Sequence, residues 1–166
     1  MVQLKMGIGM IENSATKGLS TETSFEERSI DVMNDHPLIM TLKPRDQKRI
    51  RNSIEKIVSN QEFRSLLSFE VMTEVNIGKK NNHYHEQIEL EEIEFGRIDL
   101  LIKKPKEIII VDYKSDISPP ISSTAIPLSY QQQLLKYKLF CQELYPNHNI
   151  ISKILWLENG QLMTII

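Results

Sequence analysis

Between Gly96 and Lys114 lie two apolar runs, each carrying a single aspartate. The first reads Gly96-Arg97-Ile98-Asp99-Leu100-Leu101-Ile102. A basic turn, Lys103-Lys104-Pro105-Lys106-Glu107, separates it from Ile108-Ile109-Ile110-Val111-Asp112-Tyr113-Lys114. Runs rich in Ile, Leu and Val bounded by a Pro-containing turn predict two strands. The continuously apolar second run predicts a strand buried on both faces. Residues i and i+2 share a face of a strand, so Asp112 and Lys114 point the same way. If the two strands pair as a hairpin, Asp99 reaches the same end. Charges among apolar strands are costly unless they are paired or hold a metal. That cost restricts the chain to folds in which the end of this hairpin is a polar site.

The rest of the chain supplies one domain around that hairpin, preceded by an irregular arm over residues 1–40 where Ser, Thr, Glu and Asn dominate. No apolar run approaches the length of a membrane-spanning helix, and no membrane partner is expected. A single cysteine, Cys141, rules out an intrachain disulfide and suits a reducing, cytoplasmic setting. The net charge of −2 does not announce a nucleic-acid binder. Charge is nonetheless segregated. Lys43, Arg45, Lys48, Arg49, Arg51 and Lys56 form a basic segment able to track phosphates or simply to lie solvated, whereas Glu86 to Glu94 is acidic. No Gly-rich phosphate loop of the Walker type is present.

Taken in order, Ile50, Ile54, Ile57 and Val58 recur on one helical face after Pro44, a residue suited to a first helical turn. A short helix follows over Gln61–Leu67. Phe69–Ile77 alternates as a strand, with Val71, Thr73, Val75 and Ile77 on one face. Gly78 to Asn82 reads as a turn, Gln87–Glu92 as a short strand, and Ile93–Lys103 and Glu107–Lys114 as the central pair. Ser115–Ile126 is a loop. Pro127–Tyr145 is a helix, with Leu134, Leu135, Tyr137, Phe140, Cys141 and Leu144 as its apolar residues. Ile150–Leu157 and Gln161–Ile166 are further strands, the last at an edge. This order predicts an α/β fold with a mixed sheet.

From spacing alone, Asp99, Asp112 and Lys114 support two readings. One is an Asp–Lys ion pair at a strand end. The other is a half-shell for Mg²⁺, which favours oxygen ligands and keeps several waters, with the lysine positioned to orient water or to offset charge on a phosphate.

The segment resembles the PD-(D/E)XK nucleases, and within them the RecB-like branch. Gly96-Arg97-Ile98-Asp99, twelve intervening residues, then Asp112-Tyr113-Lys114 is similar to that signature. Tyr130-Gln131-Gln132-Gln133-Leu134-Leu135-Lys136-Tyr137 is similar to the branch's Tyr-x-x-Gln-Leu-x-x-Tyr helix. Ile154 to Met163 resembles the tail of AddA-type helicase–nuclease subunits, and Glu74-Val75 a Glu-Val of the same family. The resemblance implies a restriction-endonuclease-like core in α-β-β-β-α-β order over residues 41–166. It implies DNA as substrate and Mg²⁺ or Mn²⁺ as cofactor. It further implies a role in repair or recombination, with a separate helicase or AddB-like subunit as partner. Asp99, Asp112 and the Tyr113 carbonyl would be metal ligands, and Glu74 a candidate third carboxylate. Lys114 would position or activate water. Tyr130, Gln133 and Tyr137 would contact DNA or brace the site.

The chain also departs from that pattern. The branch's upstream Gly-x-x-x-His-x-Leu-Leu motif is absent, with His36 the nearest histidine, and Leu100 stands where arginine is frequent. A catalytically decayed DNA-binding or scaffold module is therefore the alternative expectation. His83-Tyr84-His85-Glu86 reads as a solvated hairpin tip rather than a metal site.

Overall fold

The computed structural model describes residues 37–85 and 88–165, with the side chains of residues 38 and 80–93 outside the description. Three helices come first: α1 (Pro37–Met40), α2 (Pro44–Val58) and α3 (Gln61–Leu66). Strands β1 (Glu70–His85), β2 (Ile88–Lys103) and β3 (Glu107–Lys114) follow, then a 3₁₀ turn at Ser123–Ala125 and helix α4 (Leu128–Leu144). Strands β4 (Asn149–Trp156) and β5 (Gln161–Ile165) complete the order.

The five strands form one sheet in the order β1-β2-β3-β4-β5. All neighbours are antiparallel except β3 and β4, whose parallel pairing aligns Asp112 with Ile154 and Lys114 with Trp156. The crossover helix α4 provides the long connection that a parallel pair needs. The mixed, helix-flanked sheet is the architecture the sequence predicts.

Two cores sandwich the sheet. Ile50, Ile54, Ile57 and Val58 of α2 pack with Phe63 and Leu66 of α3 on the face that presents Leu100, Ile102, Ile109 and Val111. Leu134, Tyr137, Phe140 and Cys141 of α4 pack on the other, against Leu101, Ile108, Ile110 and Trp156. Residues Ile108 to Val111 of β3 are at most 1% exposed. Each such side chain contributes about 1.5–3 kcal/mol on burial, so β3 anchors the fold. Ile39 of α1 also joins the first core, within the segment read as an arm; residues 1–36, His36 among them, lie outside the described residues.

Three local expectations change. Gly78 to Asn82 does not turn: β1 continues through it in unbroken register, Gly78 opposite Phe95 and His85 opposite Ile88. Cross-strand pairing with β2 overrides the turn propensity of Gly and Asn. The separate strand read at Gln87–Glu92 is accordingly part of β2 from Ile88 on, Gln87 lying outside the described residues. On α4, Leu135 and Leu144 are more than half exposed, because the helix buries only the stripe of Leu134, Tyr137, Phe140 and Cys141. His83 to His85 belong to β1, but their side chains lie outside the description.

The alternation of β1 also breaks. Val71 packs toward α2, but Val75 and Ile77, with the same parity, pack toward α4. In β2, Leu100 packs toward α2 and Ile98 toward α4. The two breaks face each other. Thr73 pairs with Leu100 and Val75 with Ile98, which leaves Glu74 and Asp99 between them. Glu74 has φ 54°, a left-handed conformation that non-glycine residues rarely adopt. The ribbon therefore swivels at Glu74 and Asp99. Beyond that point the ribbon packs against α4 through Val75, Ile77 and Gly96.

Candidate active site

The swivel produces the site. The β2–β3 ladder ends at Leu100–Val111, and the next opposed residues are Asp99 and Asp112. There the Asp99 carboxylate takes over from the backbone: its Oδ2 accepts the Tyr113 N–H at 2.9 Å. A residue's N–H and C=O leave the strand on the same edge, so the Tyr113 carbonyl also faces the side where β2 departs. Lys114 shows the alternate direction, its carbonyl accepting Leu157 N–H from the β4 side.

Asp99 and Asp112 are 5% and 3% exposed. Lys114 Nζ lies 2.7 Å from Asp112 Oδ2 and donates to Gln133 Oε1 at 2.8 Å. Gln133 Nε2 in turn donates to the Tyr137 hydroxyl at 3.0 Å. Lys114 Nζ also stands 4.3 Å from the centre of the Tyr130 ring, within cation–π range. Five of the residues singled out in the sequence thus form one continuous chain from Asp112 through Lys114 to Tyr130, Gln133 and Tyr137. Asp99 joins through the neighbouring peptide.

Asp116 is a residue that sequence reasoning missed. The Tyr130 hydroxyl donates to it, 3.2 Å from both carboxylate oxygens. Burial, then the Asp116 carboxylate and its hydrogen bond, with a further contribution from Asp112, push the Tyr130 phenol above its ordinary pKa and keep it a donor. The signal was available: Asp116 continues the i, i+2 series of Asp112 and Lys114. Gly96 is the other. A Cβ there would sit 2.5 Å from Tyr137 Cε1, so the glycine lets β2 pass against the ring that holds Gln133.

Glu74 is half exposed and ion-pairs with Arg97 at 2.6 Å. Among the described residues, no group of three or more His, Cys, Asp or Glu is placed to hold a metal ion. What the site offers is two buried carboxylates and a peptide carbonyl. That all-oxygen set suits Mg²⁺ or Mn²⁺, which are commonly held by one or two carboxylates with water and substrate phosphate completing the shell.

A family model described as the PD-(D/E)XK nuclease superfamily matches residues 29–159. No curated protein matches the chain. Among solved structures, one titled "Crystal structure of SSO0001" aligns with a TM-score of 0.40 at 13% identity, covering 99% of this chain and 77% of that one, too distant a likeness to bear on function.

Proposed function

The chain belongs to the PD-(D/E)XK nuclease superfamily, and from that premise we propose that it is a divalent-metal-dependent nuclease that hydrolyses phosphodiester bonds in DNA. The observation that carries this reading is the position of Lys114, 2.7 Å from buried Asp112 and bonded to Gln133, beside the point where Asp99 ends the β2–β3 ladder. An ion pair of purely structural use does not require a second buried carboxylate at the same strand end.

Asp99, Asp112 and the Tyr113 carbonyl would hold the ion, which when bound supplies Lewis-acid polarisation of the phosphate and a more acidic water. The chain's own groups do the rest. Lys114, a donor with three N–H bonds, orients the attacking water or offsets the charge that develops on the phosphate oxygens. Gln133 fixes the Lys114 ammonium, and Tyr137 fixes Gln133. Tyr130, held by Asp116, presents its ring face to the same ammonium. Likeness to the RecB and AddA sequences supports a role in DNA repair or recombination beside a helicase or AddB-like partner, in the reducing cytoplasmic setting that Cys141 suits.

The test is cleavage of linear single- and double-stranded DNA with Mg²⁺ or Mn²⁺, in wild type and in Asp112→Ala and Lys114→Ala. Cleavage that EDTA stops and that both variants lose, with thermal melts showing that each variant is still folded, supports the reading. A folded wild type that cuts neither substrate sinks it. One observation favours a second reading: Glu74 turns outward to Arg97. A scaffold module with a decayed site would show no Mn²⁺ binding in a calorimetric titration.

A further inference from the structure

Among the described residues, most cations outside α2 and its cap have a carboxylate partner. Lys79, Arg97, Lys103, Lys104, Lys114, Lys136 and Lys153 pair with Glu143, Glu74, Glu70, Glu107, Asp112, Glu94 and Glu62. Helix α2 and its cap differ. They carry six cations against two acids, a net +4 in a chain whose total is −2. Of the six, among the described residues, only Arg49 meets a carboxylate, Glu158 at 2.8 Å. Lys43, Arg45, Lys48 and Arg51 are exposed and, among the described residues, make no ion pair.

Their arrangement is not random around the helix. With Ile50, Ile54 and Ile57 facing the core, 100° per residue puts Arg45, Lys48 and Asn52 on the outward crest, with Glu55 and Lys56 at its two edges. From Arg45 to Lys56 the crest runs about 16 Å, long enough to meet more than one phosphate of a strand.

The crest is tied to the site end of the sheet. Leu157 N–H donates to the Lys114 carbonyl at 2.8 Å. The next residue, Glu158, accepts Arg49 through its side chain and Lys56 Nζ through its carbonyl at 3.1 Å. Asn60 Nδ2 donates to the Gly160 carbonyl at 2.8 Å. Gly160, at φ +70°, packs so tightly that an added Cβ would lie 2.6 Å from the Lys56 backbone. The β4–β5 turn therefore joins the helix rigidly to the strand that ends at Lys114.

We propose that the outward crest of α2, with Arg45 and Lys48 at its N-terminal end, is a phosphate-tracking surface that holds the DNA backbone beyond the bond to be cut. The inference rests on the nuclease reading for its ligand but not for its test. Unpaired cations gain most from phosphate contacts, because each contact releases counterions. Backbone contacts of this kind position a duplex without reading its sequence.

The test is DNA binding by the full chain in EDTA, which removes cleavage, followed by fluorescence anisotropy across a salt series. Arg45→Glu/Lys48→Glu is compared with Lys106→Glu, an exposed change in the β2–β3 turn at the opposite end of β3. Thermal melts confirm that each variant is folded. The expected result is a loss of about tenfold or more at 0.1 M salt for the double variant, with the salt slope shallower by about 2. Lys106→Glu should lose far less. Equal losses in the two proteins, an unchanged double variant, or a wild type that binds no DNA would each overturn the proposal. Crest-dependent binding without any cleavage under Mg²⁺ would uphold it and sink the nuclease reading alone.

Discussion

Glu74 and Asp99 oppose one another in the β1–β2 ribbon, and at that pair both strands exchange the sides of the sheet on which they bury their side chains. Glu74 takes the left-handed backbone that the swivel requires. Asp99 is released from face alternation and turns its carboxylate edgewise to the Tyr113 N–H. The strain at one residue and the site position of the other are two sides of one distortion.

The strain can be measured by difference. Glu74→Ala and Glu74→Gly both lose the Arg97 pair, which at this exposure is worth about 0–1 kcal/mol. Only glycine relieves the positive φ, so Glu74→Gly should be more stable than Glu74→Ala by about 1 kcal/mol. Urea denaturation of the two variants checks it, and equal midpoints would argue against backbone strain at this site.

Asp99 has a structural and a chemical duty that separate by substitution. Asp99→Ala removes the acceptor of the buried Tyr113 N–H and should destabilise by about 1–3 kcal/mol. Asp99→Asn keeps a carbonyl oxygen at that place and should cost less, while both variants lose Mn²⁺ affinity by calorimetry. Full Mn²⁺ binding by Asp99→Asn would remove Asp99 from the ligand set.

Gly96→Ala should displace the Tyr137 ring, because the new methyl carbon would lie 2.5 Å from Cε1. Overpacking of this kind costs about 1–3 kcal/mol, and cleavage should fall with stability. Gly78→Ala is the comparison. Its nearest neighbour is Phe95, an exposed side chain free to swing away, so its thermal midpoint should move less.

Tyr137→Phe keeps the packing and removes the hydroxyl that holds Gln133 at 3.0 Å. Neutral hydrogen bonds of this kind contribute about 0.5–1.5 kcal/mol, so kcat should fall by roughly threefold to tenfold with Mn²⁺ affinity retained. An unchanged kcat would mean that Gln133 holds Lys114 without help.

Burial pushes the Cys141 thiol up to about 11, from an ordinary value of 9.0. Above the unfolded value the unfolded chain loses its proton first, so stability falls as pH rises from about 9 toward about 11. Below pH 9 the thiol contributes no slope. Cys141→Ala should flatten that part of the alkaline decline in urea midpoints, leaving the part due to other groups. Identical pH profiles would show the thiol titrating normally.

Sequence alone determined the strands of the central hairpin, the α2 face of Ile50, Ile54, Ile57 and Val58, and the layered order of elements. Each rests on a local period that burial enforces. It also singled out Asp99, Asp112 and Lys114, because charge among apolar residues marks a place where water is excluded at a cost, while Gln133 and Tyr137 came from resemblance to the RecB-like helix. Only the tertiary structure decided that Gly78 to Asn82 stays in a strand, since pairing with β2 outweighs what those residues prefer alone. Nor did the period of 2 announce its own failure at Glu74 and Asp99. That swivel arises because β2 must pair with β3 on one side of the pair and wrap Tyr137 on the other, and no single strand's pattern records a competition between two neighbours. Asp116 and Gly96 belong to the same class: each acts through a ring on α4 that is brought to it only when the crossover helix packs on the sheet.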